Sequence, residues 1–160
     1  MQALVVYYSR TGHTRKVGEE IARELECDSE ELVDTVDRPG PSGFISSGRE
    51  GMQKSLTRLK PLQKDPSKYD IVIIGTPVWS LNMSSPTRTY MTENKDRFRK
   101  VAFFCTEGTL GEDTTFKDMA EVCGKKPEGT LAIKARDISQ GSYLDKVKKF
   151  ASGVCTLSAT

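Results

Sequence analysis

The chain of 160 residues is short of the groups from which several common sites are built. It has one histidine and four cysteines, Cys27, Cys105, Cys123 and Cys155, with no C-x-x-C pair among them. That pattern argues against a zinc frame and fits buried, reduced thiols, so the expected location is cytoplasmic. No apolar run reaches the roughly 20 residues that a membrane-spanning helix needs. No signal peptide is expected either, since Arg10 follows only a short strand-like segment. Neither sign of charge dominates, and a net charge of +2 suggests no nucleic-acid surface. Repeats are absent. Also missing are G-x-x-x-x-G-K-[ST] and G-x-G-x-x-G, which removes the Walker loop and the dinucleotide fingerprint. The expectation is one domain over 1–154, with 155–160 a small, polar tail that frays.

What is present is an alternation of apolar runs with amphipathic stretches. Ala3–Tyr7 reads as a strand buried on both faces. Behind it Val17, Ile21 and Leu25 recur at four-residue spacing, leaving Arg15, Lys16, Glu19, Arg23 and Glu24 for solvent. Glu31–Asp34 predicts a short edge strand. Arg38–Gly43 concentrates breakers and predicts a loop. A helix is then expected from between Ser46 and Glu50 to Leu59, with Met52, Leu56 and Leu59 at helical spacing. From Asp37 to Lys68 seven bases meet three acids, which reads first as a solvated surface and otherwise as a docking face for an acidic partner.

Tyr69–Pro77 is the clearest strand, β-branched and continuous, hence central and parallel. Val101–Cys105 and Thr130–Ala135 predict two more. Ser85 and Pro86 open a helix as cap and first residue. Phe116, Met119, Ala120 and Cys123 give another its inner face, with Gly124 ending it. A last helix is expected to be capped by Ser142, to turn Leu144, Val147, Phe150 and Ala151 inward, and to close at Gly153. Five strands alternating with helices predict an α/β fold with a doubly wound parallel sheet covered on both faces.

In such sheets ligands bind beyond the carboxyl ends of the strands, at the switch point. Three loops meet there: Ser9–Thr14, Thr76–Ser84 and Cys105–Gly111. The first, within Tyr8-Ser9-Arg10-Thr11-Gly12-His13-Thr14, sets hydroxyls and amides at the positive end of a helix dipole, a phosphate cradle without lysine. A Ser/Thr-rich helix cap is the plainer reading of the same residues. The second loop carries Trp79, the only tryptophan, where it can stack on a flat ring or simply pack over the next helix. Met83 can pack at the edge of such a ring or fill the core.

The run S-R-T-G-H-T resembles the phosphate loop of flavodoxin-like proteins. G-T-P-V-W-S-L-N-M-S-S-P is similar to the second loop of small members of that family, and F-F-C-T-E-G to the third. N-M-S and Arg88-Thr89-Tyr90 also look like the tetrameric quinone-reductase branch. The resemblance implies strand order 2-1-3-4-5 and FMN as cofactor. It implies phosphate contacts from Ser9, Arg10, Thr11, Gly12, His13 and Thr14. It assigns ring contacts to Thr76, Pro77, Val78, Trp79, Ser80 and Met83, and to Cys105, Thr106, Glu107 and Gly108. No metal and no catalytic residue is expected; His13 reads as a loop contact, having no paired acid nearby.

The chain departs from the family in two respects. Electron-carrier flavodoxins typically cover the outer flavin face with a third-loop tyrosine, whereas T-E-G-T-L-G has no aromatic. Those carriers are also acidic, and this chain is slightly basic. The function implied is an FMN-binding redox protein passing electrons to or from a partner protein. The alternative is an FMN-dependent NAD(P)H reductase of quinones or similar small acceptors. A receiver-type signalling module would need an acidic pair at the end of the first strand, where Tyr7, Tyr8 and Ser9 stand.

Overall fold

Residues of the central strands are apolar in both alternating sets because each set faces its own layer of helices. The computed structural model describes residues 1–158. In order the elements are β1 (Ala3–Tyr7), α1 (His13–Leu25), β2 (Asp28–Glu31), α2 (Gly40–Gln53), β3 (Ile71–Trp79) and β4 (Asn82–Met83). They continue with α3 (Ser85–Asn94), β5 (Lys100–Glu107), α4 (Glu112–Cys123), β6 (Thr130–Lys134), α5 (Ala135–Gln140) and α6 (Tyr143–Ser158). Five strands pair in parallel in the order β2-β1-β3-β5-β6. This is the expected 2-1-3-4-5 order, renumbered only by the two-residue β4, which pairs antiparallel with the end of β3.

On one side of the sheet Val5, Ile73, Ala102 and Phe104 pack with Val17 and Ile21 of α1 and with Val147, Phe150 and Val154 of α6. On the other, Leu4, Val6, Val72, Ile74 and Phe103 pack with Tyr90 and Met91 of α3 and Met119 of α4. Each fully buried large side chain contributes about 1.5–3 kcal/mol relative to exposure. No described helix is long and apolar enough to cross a membrane.

Several elements differ from expectation. The edge strand β2 lies at Asp28–Glu31, not Glu31–Asp34. Its polar residues satisfy the ladder to β1, while Leu32 beyond it is buried in the second layer. The breaker run Arg38–Gly43 is not all loop. Helix α2 begins at Gly40, with Pro39 at the cap and Pro41 in the first turn. Proline is harmless there, because first-turn amides have no intrahelical acceptor to lose.

The inner face of α2 is Gly43, Ser47 and Gly51, whereas Met52 and Leu56 are exposed. A β-carbon on Gly51 would overlap the Trp79 carbonyl. The helix therefore lies on the hairpin at a separation that only the smallest side chains allow.

Toward the C-terminus, β6 stops at Lys134 and Ala135 opens the short α5. The cap of α3 is Ser84, one residue earlier than expected, accepting from the Thr87 amide. Ser142 Oγ donates to Asp137 Oδ1 at 3.2 Å, and Leu144 is exposed. Helix α6 does not close at Gly153 but runs through Cys155 to Ser158, with Val154 buried. Of the expected tail, residues 159–160 lie outside the described residues.

Candidate functional site

The carboxyl ends of β1, β3 and β5 converge on a cavity of about 560 Å³. Its first wall is the β1–α1 loop. Ser9 Oγ accepts the Gly12 amide at 3.0 Å, and Gly12 has φ 105°, a backbone state that glycine adopts without the strain of a β-carbon. Behind this turn Arg10, Thr11, His13 and Thr14 line the cavity. The Gly12 carbonyl is taken by the Lys16 amide, and among the described residues the His13, Thr14 and Arg15 amides meet no acceptor. No acid stands in that first turn. Unpaired amides at a helix N-terminus, together with the dipole, favour an anion. Thr14 Oγ1 lies 2.7 Å from Thr106 Oγ1 in a buried bond that ties the first loop to the third.

The second wall is Pro77, Val78, Trp79 and Ser80. These residues extend β3 rather than forming a loop: Pro77 pairs with Thr106, and Val78 with Met83. Ser80 and Leu81, at φ 50° and 67°, make the tight hairpin turn. Trp79 is thus a strand-end residue. It meets Tyr8 edge-on, with ring centroids 5.6 Å apart and planes at 89°. The Arg38 guanidinium sits 5.3 Å from the indole centroid. Arg38 is 4% exposed and is paired with Asp34 and, at 2.8 Å, with Glu50. Burial raises the Tyr8 hydroxyl above the ordinary phenol value, against the opposing charge of Arg38. The indole is held by an aromatic edge and a buried cation, and it also forms part of the cavity wall.

Thr106, Glu107 and Gly108 at the end of β5, with Ala135 at the start of α5, form the third wall. Glu107 is 5% exposed, and its Oε2 has no hydrogen-bond partner among the described residues. Burial first, then the charge of Glu112, holds this carboxyl above the usual range, with Lys134 opposing.

Other expected residues lie beneath the cavity. Thr76 is buried, its Oγ1 accepting the Ser84 amide at 2.9 Å. Met83 has no exposure and belongs to the second core layer. Cys105 sits inside β5 between Thr76 and Ala132, its thiol pushed well above the ordinary value by burial. Arg88, Thr89 and Tyr90 also face inward. Arg88 pairs with Asp118, and Thr89 Oγ1 accepts the Thr57 amide at 2.9 Å. Conversely, Phe44, Ser47 and Gly48 of α2 line the cavity without having been expected. The breaker run hid the start of α2. The signal that marks it is the four-residue spacing of Gly43, Ser47 and Gly51, a stripe of small residues instead of large ones.

No family model and no curated protein matches the sequence. Solved structures do. A flavoprotein from Lactobacillus acidophilus, in complex with FMN, is 22% identical at TM-score 0.73, covering 88% of this chain and 98% of that one. Flavodoxin from Megasphaera elsdenii, in its two-electron reduced form, is 16% identical at TM-score 0.61, covering 95% and 97%. A flavodoxin, WrbA-like protein from Agrobacterium tumefaciens is 15% identical at TM-score 0.56, covering 94% and 95%. At such identities the likeness speaks for architecture, and with the strand order above it establishes that this chain has the flavodoxin-like fold.

Proposed function

We propose that the cavity binds FMN and that the protein is a redox protein exchanging electrons with a partner protein. One observation carries this reading: unpaired first-turn amides of α1 stand at the same 560 Å³ cavity as the Trp79 wall. Small-molecule sites commonly measure roughly 300–1,000 Å³. In this reading Thr11, His13 and Thr14 offer amides and hydroxyls to the phosphate, with the Arg10 charge beside them. Ser9 and Gly12 shape that turn. Pro77, Val78 and Trp79 give the flat ring an apolar wall, and the peptide at Gly108 faces its polar edge. Bound FMN supplies the electron chemistry, while the chain orients it and sets the charge around it. The FMN complex of the similar Lactobacillus flavoprotein supports the choice of ligand. Leu81 and Leu110, both exposed on neighbouring loops, supply apolar surface for a partner.

Titration of the ligand-free protein with FMN is expected to give saturable uptake, with flavin fluorescence quenched by Trp79. Absence of uptake would overturn the proposal. Anaerobic NADPH, added to the loaded protein without any partner, then separates the two redox roles. A sluggish response agrees with a carrier. Steady turnover of NADPH with a quinone would move the assignment to an NAD(P)H reductase using the same cavity.

A further inference from the structure

We infer that Phe44, at the start of the second turn of α2, is the aromatic that lies against the flavin ring face opposite the Trp79 wall, a step that rests on the FMN reading above. The cavity has two aromatic wall residues, Trp79 and Phe44, and the third loop supplies none. Phe44 is 68% exposed, so burial in the ligand-free fold does not explain a large apolar side chain at this position. Its ring is met by the Arg10 guanidinium, 5.7 Å from the centroid. Arg10 also donates to the Arg38 carbonyl at 3.4 Å, so one side chain joins the proposed phosphate loop to the start of α2.

The placement of Phe44 is built rather than incidental. Ser80 Oγ donates to the Gly48 carbonyl at 2.6 Å, and Asn82 Nδ2 donates to that of Gly51 at 3.1 Å. These bonds and the close approach at Gly51 fix α2 to the same hairpin that carries Trp79. Two aromatic groups thus ride on one rigid unit, at one cavity. A flat heteroaromatic ring presents two faces, and offset stacking against each adds to simple burial. The wall of Pro77, Val78 and the largely buried Trp79 meets one face, and the exposed Phe44 takes the one that the third loop leaves bare.

The test compares Phe44→Ala, Phe44→Leu and Phe44→Trp. Ligand-free, all three are expected to unfold thermally as the parent does, because the side chain is exposed. FMN binding is expected to weaken about three- to tenfold in the Ala variant, to stay weak with Leu, and to hold within about twofold with Trp. The visible circular dichroism of bound flavin should change in the Ala and Leu variants and persist in the Trp variant. A parent that binds FMN while the Ala variant binds equally well overturns this inference alone. Equal binding by Leu and Phe overturns the stacking role, leaving burial as the contribution. A parent that takes up no FMN overturns the cofactor reading itself.

Discussion

Glu107 ends β5 with a buried carboxylate oxygen that no donor meets among the described residues. Its folded-state carboxyl lies above the ordinary value because burial disfavours the charged form. The native state then holds this proton more tightly than the unfolded chain does. The associated stability is present below the ordinary carboxyl range and is lost as pH rises through the folded value. Glu107→Gln in the ligand-free protein is expected to gain about 1 kcal/mol at pH 7. In acid, below the ordinary carboxyl range, the gain should shrink toward nothing. Urea unfolding at both pH values checks the sign. Arg38 is the converse case, a buried cation with Asp34 and Glu50 on it and Trp79 beneath. Arg38→Ala strands those acids and is expected to cost about 3–5 kcal/mol by denaturant unfolding.

The first strand, its loop and α1 were legible in the chain because their signals are local. Alternative explanations of an apolar pentad followed by a four-residue apolar stripe are few. Helix α2 was legible only in part: a helix was expected here, but its start at Gly40, its end at Gln53 and its inner face were not, and the reason is packing. Periodicity arguments assume that a helix buries its large apolar face, yet α2 buries Gly43, Ser47 and Gly51 and leaves Phe44, Ile45 and Met52 outside. Close approach to the Trp79 backbone is what selects small residues there. Gly51→Ala makes the point testable, since alanine is the better helix former by about 1 kcal/mol and would stabilise an isolated helix. In the folded protein the added methyl meets the Trp79 carbonyl, and a net loss of about 2 kcal/mol is expected by chemical denaturation. A net gain would mean that α2 does not lie on the hairpin as described. Hairpin strand β4 escaped the sequence reading for a related reason: two residues are too few to show a period.

For the molecule as a whole, a ligand that binds only the folded state raises its stability. FMN at a hundred times its dissociation constant should add about 2.7 kcal/mol. For a chain of this size that raises the melting temperature by roughly 5–10 °C, readable in a calorimetric scan. An unchanged melting temperature at saturating FMN would contradict a folded-state site. By itself the sequence determined the parallel sheet, its two covered faces and the hydroxyl-rich turn at Ser9–Thr14 that opens α1. Those follow from hydrophobic period and turn chemistry, which neighbouring residues carry among themselves. Only the tertiary structure decided that Trp79 stands at a strand end over Arg38, that Met83 and Cys105 belong to the interior, and that Phe44 joins the cavity. These depend on contacts such as Asn82 to Gly51, 31 residues apart, where backbone approach rather than side-chain pattern sets which groups meet.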